Sequence, residues 1–394
     1  AGVSQFAIHT EGVRFIDDAK RQVILRGANT GGRSKLPPFI PFDPSPDFRT
    51  ALDRYADKIQ ALGFNVVRLL IIYEAAEPVR GQYDEEYLKK YDQMVSAMSK
   101  RGIRVIVDGH QDIFSQRLCG DGFPDWALPA GYQNQHRHSD CKLWGIRYLS
   151  YPVAKSFDRL WLNQDNVQVS YVAFFKMLAE RYRDEPAVIG FEPLNEPFPG
   201  MSGMTNYSAW YKEQLFALYE RVGDAVQSVD ERYLIFADIC PLENMGAWSV
   251  SRTRPEIKNL VLAPHYYDFG TFGILSGASS GRAFMQKGLG SHLALGKAWD
   301  VPVLVGEFGI SPLMKEAQEY LANIYSVFDQ MQVSATFWEA SLSTTIWNLE
   351  NTSLFNPYGS ERTGTAGVDR PYPRAVAGII KDFSFSKETK KFEM

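Results

Sequence analysis

The sequence predicts an α/β fold: a TIM (β/α)8 barrel with an N-terminal β-hairpin and a short C-terminal β extension. Three observations predict it. Short apolar runs recur along the chain with little alternation, as in parallel strands covered on both faces. Segments with apolar residues at helical spacing separate them, so strand and helix alternate in one winding direction. The runs number about eight, the count at which a parallel sheet closes on itself.

The elements follow in order. Residues 5–25 read as a hairpin: Phe6-Ala7-Ile8 and Val13-Arg14-Phe15-Ile16 alternate, Asp17-Asp18-Ala19-Lys20 turns, and Gln22-Val23-Ile24-Leu25 returns. Such a hairpin is suited to close the bottom of a barrel. Barrel strands are expected at 23–28, 65–71, 103–108, 187–193, 233–238, 260–265, 301–306 and 334–339. Helices are expected at 48–62, entered through Asp47 and left through Gly63, and at 84–101, between Asp84 and Gly102. Residues 166–182, 206–228 and 313–331 also carry helical spacing. Segments 29–46, stiffened by Pro37, Pro38, Pro41, Pro44 and Pro46, and 109–165 are too long for simple connections. Both follow strands, so both are expected on the mouth side, shaping a cleft. The expected division is a catalytic barrel over 1–350 and a C-terminal extension over 351–394. In the extension, Phe383-Ser384-Phe385-Ser386 and Lys391-Phe392-Glu393-Met394 read as two strands around a turn.

The chain has 394 residues, 45% hydrophobic and 22% charged, with a formal net charge of -4. That composition is ordinary for a globular protein, and no Lys/Arg stripe suggests nucleic acid. No apolar stretch reaches the length of a membrane span. The opening Ala1-Gly2-Val3-Ser4 reads either as a mature end left after signal-peptide removal, hence a secreted protein, or as a trimmed chain. Of three cysteines, Cys119 and Cys141 flank a polar loop and could be bridged, which would point to an oxidising compartment. Cys240 reads as a buried thiol. His136, His138 and Cys141 could be imagined as metal ligands, but a polar surface loop suits them better, because zinc wants four ordered ligands.

The chemistry is concentrated at strand ends. Residues 187–197 run Ala-Val-Ile-Gly-Phe-Glu-Pro-Leu-Asn-Glu-Pro, an apolar strand ending in Asn195 and Glu196. Residues 301–309 run Val-Pro-Val-Leu-Val-Gly-Glu-Phe-Gly, another strand ending in Glu307 between Gly306 and Gly309, glycines that would let the backbone and a ligand approach closely. Either acid alone would also suit a rim ion pair. Two acids on two strand ends are what glycoside hydrolysis needs: one protonates the leaving oxygen, the other attacks the anomeric carbon or activates water. Other polar strand ends would converge in the same barrel: Arg68, His110 and Asp112, His265 and Tyr267, and Trp338.

Over residues 20–345 this ordered set resembles glycoside hydrolase family 5, retaining β-glycosidases on α/β barrels. The resemblance implies Glu196 as acid/base and Glu307 as nucleophile, with Arg68, His110, Asn195, His265, Tyr267 and Trp338 completing the active site. Within the family the chain is most similar to endoglycoceramidases. The motifs are Asp108-Gly109-His110-Gln111-Asp112-Ile113-Phe114-Ser115, Gly120-Asp121-Gly122-Phe123-Pro124-Asp125-Trp126, Asn195-Glu196-Pro197-Phe198-Pro199-Gly200, and Arg370-Pro371-Tyr372-Pro373-Arg374-Ala375-Val376-Ala377-Gly378. The implied reaction is hydrolysis of the bond between oligosaccharide and ceramide, without metal or organic cofactor, by a monomer that transiently meets a membrane or micelle. Lys35 and Asp112 are implied as contacts to glucose hydroxyls. The C-terminal hairpin resembles the start of the β-sandwich that follows the barrel in those enzymes. The alternatives are another family 5 β-glycosidase: a glucosylceramide or steryl-glucoside β-glucosidase, or an endo-β-glucanase or mannanase. Phe198, Met201 and Met204, with Phe269, Phe272, Ile274 and Leu275, are expected to form an apolar slot for ceramide.

Overall fold

The computed structural model describes residues 5–244, 246, 252–268 and 281–394. The hairpin becomes three antiparallel strands, β1 (Ile8–Glu11), β2 (Arg14–Asp17) and β3 (Arg21–Val23). Eight parallel strands follow: β4 (Arg26–Asn29), β5 (Val66–Ile72), β6 (Arg104–His110), β7 (Val188–Glu192), β8 (Leu234–Ala237), β9 (Leu260–Leu262), β10 (Leu304–Phe308) and β11 (Ser334–Phe337). Their order, β10-β11-β4-β5-β6-β7-β8-β9, is that of a barrel opened between β9 and β10. That seam is bridged at Leu262–Val303 and Tyr266–Phe308, with Tyr266 N–H donating to Glu307 O at 2.8 Å. The (β/α)8 reading holds.

The bottom of the barrel is stoppered from the N-terminal sheet. Ile8, Phe15 and Val23 pack with the barrel-interior residues Leu25, Val66, Ile106, Leu234 and Leu304 in one buried cluster. The alternating strand residues thus exclude water from one end, so the open end is where polar chemistry can sit. A late strand, β12 (Ala375–Ala377), joins this sheet against β3. The tail forms the expected hairpin, β13 (Ser384–Ser386) and β14 (Lys391–Glu393), and Ile380 and Phe383 pack on Ile24.

Local signals account for the first two long helices. Asp47 accepts from Thr50 N–H at 3.0 Å to start helix Phe48–Ala61, and Asp84 accepts from Glu86 N–H at 2.9 Å to start Glu85–Ser99. Several elements depart from the expectations. The run 23–28 is split between two sheets at Ile24-Leu25, and the unbroken apolar stretch Val23-Ile24-Leu25 hides the junction. Helix 206–228 contains a π-type turn at Tyr211–Leu215. The last long helix starts later than 313, at Ala317. The mouth segment 109–165 contains helix Tyr151–Trp161, with Pro152 in its first turn. Helix Arg282–Trp299 was not anticipated, because Gly288, Gly290 and Gly296 dilute its pattern. The suspected bridge Cys119–Cys141 is formed, and Cys240 is a buried thiol.

Candidate active site

Every sequence-predicted site residue lies at the open end of the barrel, and together they form one network. Arg68, at the middle of β5 and fully buried, is its hub. Its Nη1 donates to Glu307 Oε1 at 2.8 Å and to Asn29 Oδ1 at 2.8 Å, and lies 3.0 Å from Asp108 Oδ2. Its other edge grips Glu192, through Nε at 2.8 Å and Nη2 at 2.6 Å, and reaches Asn195 Oδ1 at 2.7 Å. Burial alone would lower the guanidinium pKa. Asp108, Glu192 and Glu307 outweigh it, so Arg68 is held well above its ordinary value and stays a cation.

Glu196 and Glu307 face each other. A carboxylate oxygen of each, with a His265 nitrogen, lies within 4.8 Å of the others. His265 Nδ1 is 2.9 Å from Glu196 Oε1 and 3.5 Å from Glu307 Oε2. Glu196 sits at φ 42°, in the left-handed region, which costs a non-glycine residue about 1–2 kcal/mol. The conformation is fixed on both sides of the peptide: Asp238 Oδ2 accepts from Glu196 N–H at 2.7 Å, and Gln111 Nε2 donates to Glu196 O at 3.1 Å. Backbone strain held by buried hydrogen bonds is a property of sites whose side chain must point one way.

The two acids differ in their partners. Burial, with the like charge of Asp112, pushes Glu196 up to about 7, although Asn244 Nδ2 donates to Oε1 at 2.8 Å and opposes the rise. Burial also raises Glu307, and the Arg68 guanidinium opposes the rise. Burial pushes His265 down to about 4, so near neutrality the ring is uncharged and the full cation facing Glu307 is Arg68. Tyr267 OH adds a donor to Glu307 Oε2 at 2.9 Å. Burial thus raises both carboxyls, and they differ in their partners: Glu196 meets the neutral donors Asn244 and His265, whereas Glu307 meets the Arg68 cation and the Tyr267 hydroxyl.

The floor beside the pair is a second charged cluster. Lys35 Nζ lies 2.5 Å from Asp112 Oδ2 and 3.4 Å from Glu350 Oε2, beneath the rings of Trp347 (4.0 Å) and Trp338 (4.4 Å). Burial opposes the charges here, yet Lys35 is raised by Asp112 and Asp112 is lowered by Lys35, so both remain ionised. His110 Nδ1 is 2.7 Å from Asp108 Oδ2, and burial is outweighed by Asp108, which lifts His110 to about 10. The His110 and Trp338 rings stack at 5.3 Å between centroids. Asn195 spends one Oδ1 lone pair on Arg68 and one Nδ2 hydrogen on Gln111 O, leaving one of each for a ligand.

Sequence reasoning missed several members of this network: Asn29, Asp108, Glu192, Asp238, Asn244, Tyr148 and Glu350. An acid inside an otherwise apolar run was a usable signal for Asp108 and Glu192, because a buried carboxylate demands a partner. Nothing local marks Asn244 or Glu350, which arrive on loops. The glycine reading is corrected. A Cβ at Gly306 would stand 3.3 Å from the His265 ring and one at Gly309 2.5 Å from Trp338 O, so these glycines admit protein neighbours rather than a ligand. The apolar-slot reading is also altered. Phe198 is buried against Tyr148, while Met201 and Met204 are exposed. Phe269, Phe272, Ile274 and Leu275 lie outside the described residues.

Among the described residues, four clusters bring three potential ligand atoms together. In Cys119–His138–Cys141 both sulfurs are spent in the disulfide. In His110–Asp112–Asp121 the Lys35 ammonium already neutralises Asp112. The remaining two, Glu192–Asp238–His265 and Glu196–His265–Glu307, lie against the Arg68 guanidinium.

The family model for cellulase (glycosyl hydrolase family 5) matches residues 18–343. An endoglycoceramidase of Cyanea nozakii is 27% identical, covering 98% of this chain and 80% of its own length. Endoglycoceramidase I of Rhodococcus hoagii is 31% identical over 56% of this chain and 44% of its own. Among solved structures, endo-glycoceramidase II from Rhodococcus sp. in complex with ganglioside GM3 superimposes with a TM-score of 0.76 at 26% identity, covering 94% of this chain and 84% of that one.

Proposed function

Because the chain belongs to glycosyl hydrolase family 5 and is a glycosidase, we propose that it hydrolyses the β-glycosidic bond between oligosaccharide and ceramide in glycosphingolipids, with retention of configuration. The observation that carries the mechanism is the facing of Glu196 and Glu307, with oxygens within 4.8 Å. Retaining enzymes hold their carboxyls about 5–5.5 Å apart, whereas inverting ones leave about 6.5–9.5 Å for a water. The relatives named as endoglycoceramidases support the substrate class.

In this reading Glu196, protonated near neutrality, gives its proton to the leaving ceramide oxygen. Glu307 attacks the anomeric carbon, forming a glycosyl ester as the C–O bond to ceramide breaks. Glu196, now a carboxylate, takes a proton from water, and the resulting hydroxide displaces Glu307. Arg68 and Tyr267 favour the ionised form of Glu307 and aim it, and neutral His265 bridges the two carboxyls without adding charge. Asn195 offers its free amide hydrogen to the sugar 2-hydroxyl, Trp338 supplies an apolar face, and Lys35 and Asp112 bind ring hydroxyls. The bridge Cys119–Cys141 supports an extracellular setting.

The test is incubation with lactosylceramide and glucosylceramide. Intact lactose from the first, appearing initially as the β-anomer by NMR, is the expected result. Glucose from glucosylceramide, with lactosylceramide untouched, would replace the endo reading by an exo-glucosidase. An initial α-anomer would overturn retention.

A further inference from the structure

The segment from Lys142 to Lys155 has two faces with different work. Its inner side chains pack against the charged cluster beside the paired glutamates: Tyr148 OH donates to Asp112 Oδ1 at 3.2 Å, and Trp144 meets Trp347 edge-on at 4.9 Å between centroids. Its outer face carries Leu143, Ile146, Leu149 and Tyr151, exposed at 77%, 64%, 69% and 56%. One exposed leucine needs no explanation. Four large apolar side chains on one short stretch that adjoins the candidate site do. Leu349, 60% exposed, extends the patch from a neighbouring loop, which is tied to this one by Asn348 N–H donating to Ser139 O at 2.7 Å and Cys141 N–H donating to Asn348 Oδ1 at 2.9 Å. The Cys119–Cys141 bridge anchors the same base.

Charge selects the partner. The chain as a whole carries a formal -4, yet residues 141–157 contain no Asp or Glu, only Lys142, Arg147 and Lys155. All three are exposed, and none is paired with a carboxylate among the described residues. Lys155 Nζ stands over the Tyr151 ring at 5.7 Å. One exposed acid, Asp140, adjoins the stretch, so bulky aliphatic side chains and a tyrosine flanked by three unpaired cations against one acid have the composition of an interfacial anchor: the aliphatic tips enter the headgroup–acyl boundary while the cations meet lipid phosphates.

We propose that this face, Leu143, Ile146, Leu149 and Tyr151 with Lys142, Arg147 and Lys155, docks the protein on an anionic lipid bilayer. The docking rests on the reading that the substrate is a membrane glycolipid, and it adds the surface by which that substrate is reached. Since the inner face of the same segment touches Asp112 and Trp347, docking sets the pocket mouth against the membrane, where a glycan head can enter while its lipid stays embedded.

The experiment uses vesicles of phosphatidylcholine with or without phosphatidylserine and free of glycolipid, sedimented with the full chain. One variant replaces Leu143, Ile146 and Leu149 by Ser; a second carries Lys142→Glu and Arg147→Glu. The wild type is expected to sediment with the anionic vesicles, less so as salt rises, and both variants to partition about tenfold less or weaker. Both should keep wild-type kcat/KM on a soluble aryl β-lactoside and on lactosylceramide in detergent micelles, and lose about tenfold on lactosylceramide in anionic vesicles. A wild type that stays in the supernatant, or variants that bind as it does, overturns the proposal. So does a face that proves to join two copies, seen as a dimer by light scattering that the serine variant dissolves. Vesicle binding with no cleavage of micellar lactosylceramide upholds the docking face and overturns the substrate reading instead.

Discussion

Replacing Asn244 by Ala should extend activity toward alkaline pH. Asn244 Nδ2 donates to Glu196 Oε1 at 2.8 Å, and a donor on a carboxyl oxygen favours the ionised form. Its loss therefore favours the protonated form and raises the Glu196 pKa from its present value of about 7. A hydrogen bond to a charged group contributes about 1.5–3 kcal/mol, which at 1.36 kcal/mol per pH unit is a ceiling of roughly 1–2 units. Water reaching the carboxyl tip recovers part of it, so about one unit is expected. In the mechanism proposed, Glu196 must be protonated to release the lipid, so the alkaline limb of kcat/KM reports its titration. The wild-type limb is expected near pH 7 and the variant's near pH ~8. The assay needs a substrate with an unactivated leaving group, such as lactosylceramide in micelles, because a nitrophenol leaves without a proton and would conceal the effect. An alkaline limb that stays put, or moves down, would refute the assignment of Glu196 as the acid.

Three other perturbations probe the same network. Arg68→Met leaves Glu192, Asp108 and Glu307 buried without their cation; breaking such a group costs about 3–5 kcal/mol, read as a drop in Tm of roughly 4–6 °C together with lost activity. Tyr267→Phe removes the 2.9 Å donor from Glu307, so the Glu307 pKa rises, the acid limb of the pH profile moves to higher pH, and kcat/KM falls about 10–100-fold; an unmoved acid limb would contradict the contact's role. Cys119→Ser opens a loop with a sequence separation of 22, which on chain entropy lowers stability by about 3 kcal/mol; wild type melted in reductant should match the variant.

The barrel was legible because its strands are covered on both faces and so lack the alternation that would confuse them with surface strands. Glu196 and Glu307 stood out for the same reason: a carboxylate ending an apolar run has no solvent to retreat to. What stayed hidden was second in line. Glu192 and Asp108 read as interruptions of a strand, and only the fold reveals that both terminate on Arg68. Asn244 and Glu350 reach the site from loops, where spacing carries no directional information. The left-handed backbone at Glu196 has no residue signature, since it is imposed by Asp238 and Gln111 from other strand ends. Phe198 misled in the opposite sense, because an aromatic beside a candidate acid can serve packing instead of substrate.

The proposed mechanism turns on Glu307 forming a bond to the sugar. A 2-deoxy-2-fluoro-β-glycoside with a good leaving group should inactivate the enzyme by accumulating that ester, and peptide mass spectrometry should find the sugar on the peptide containing Glu307 and nowhere else. Sugar attached to a different side chain, or turnover without any covalent adduct, would contradict it.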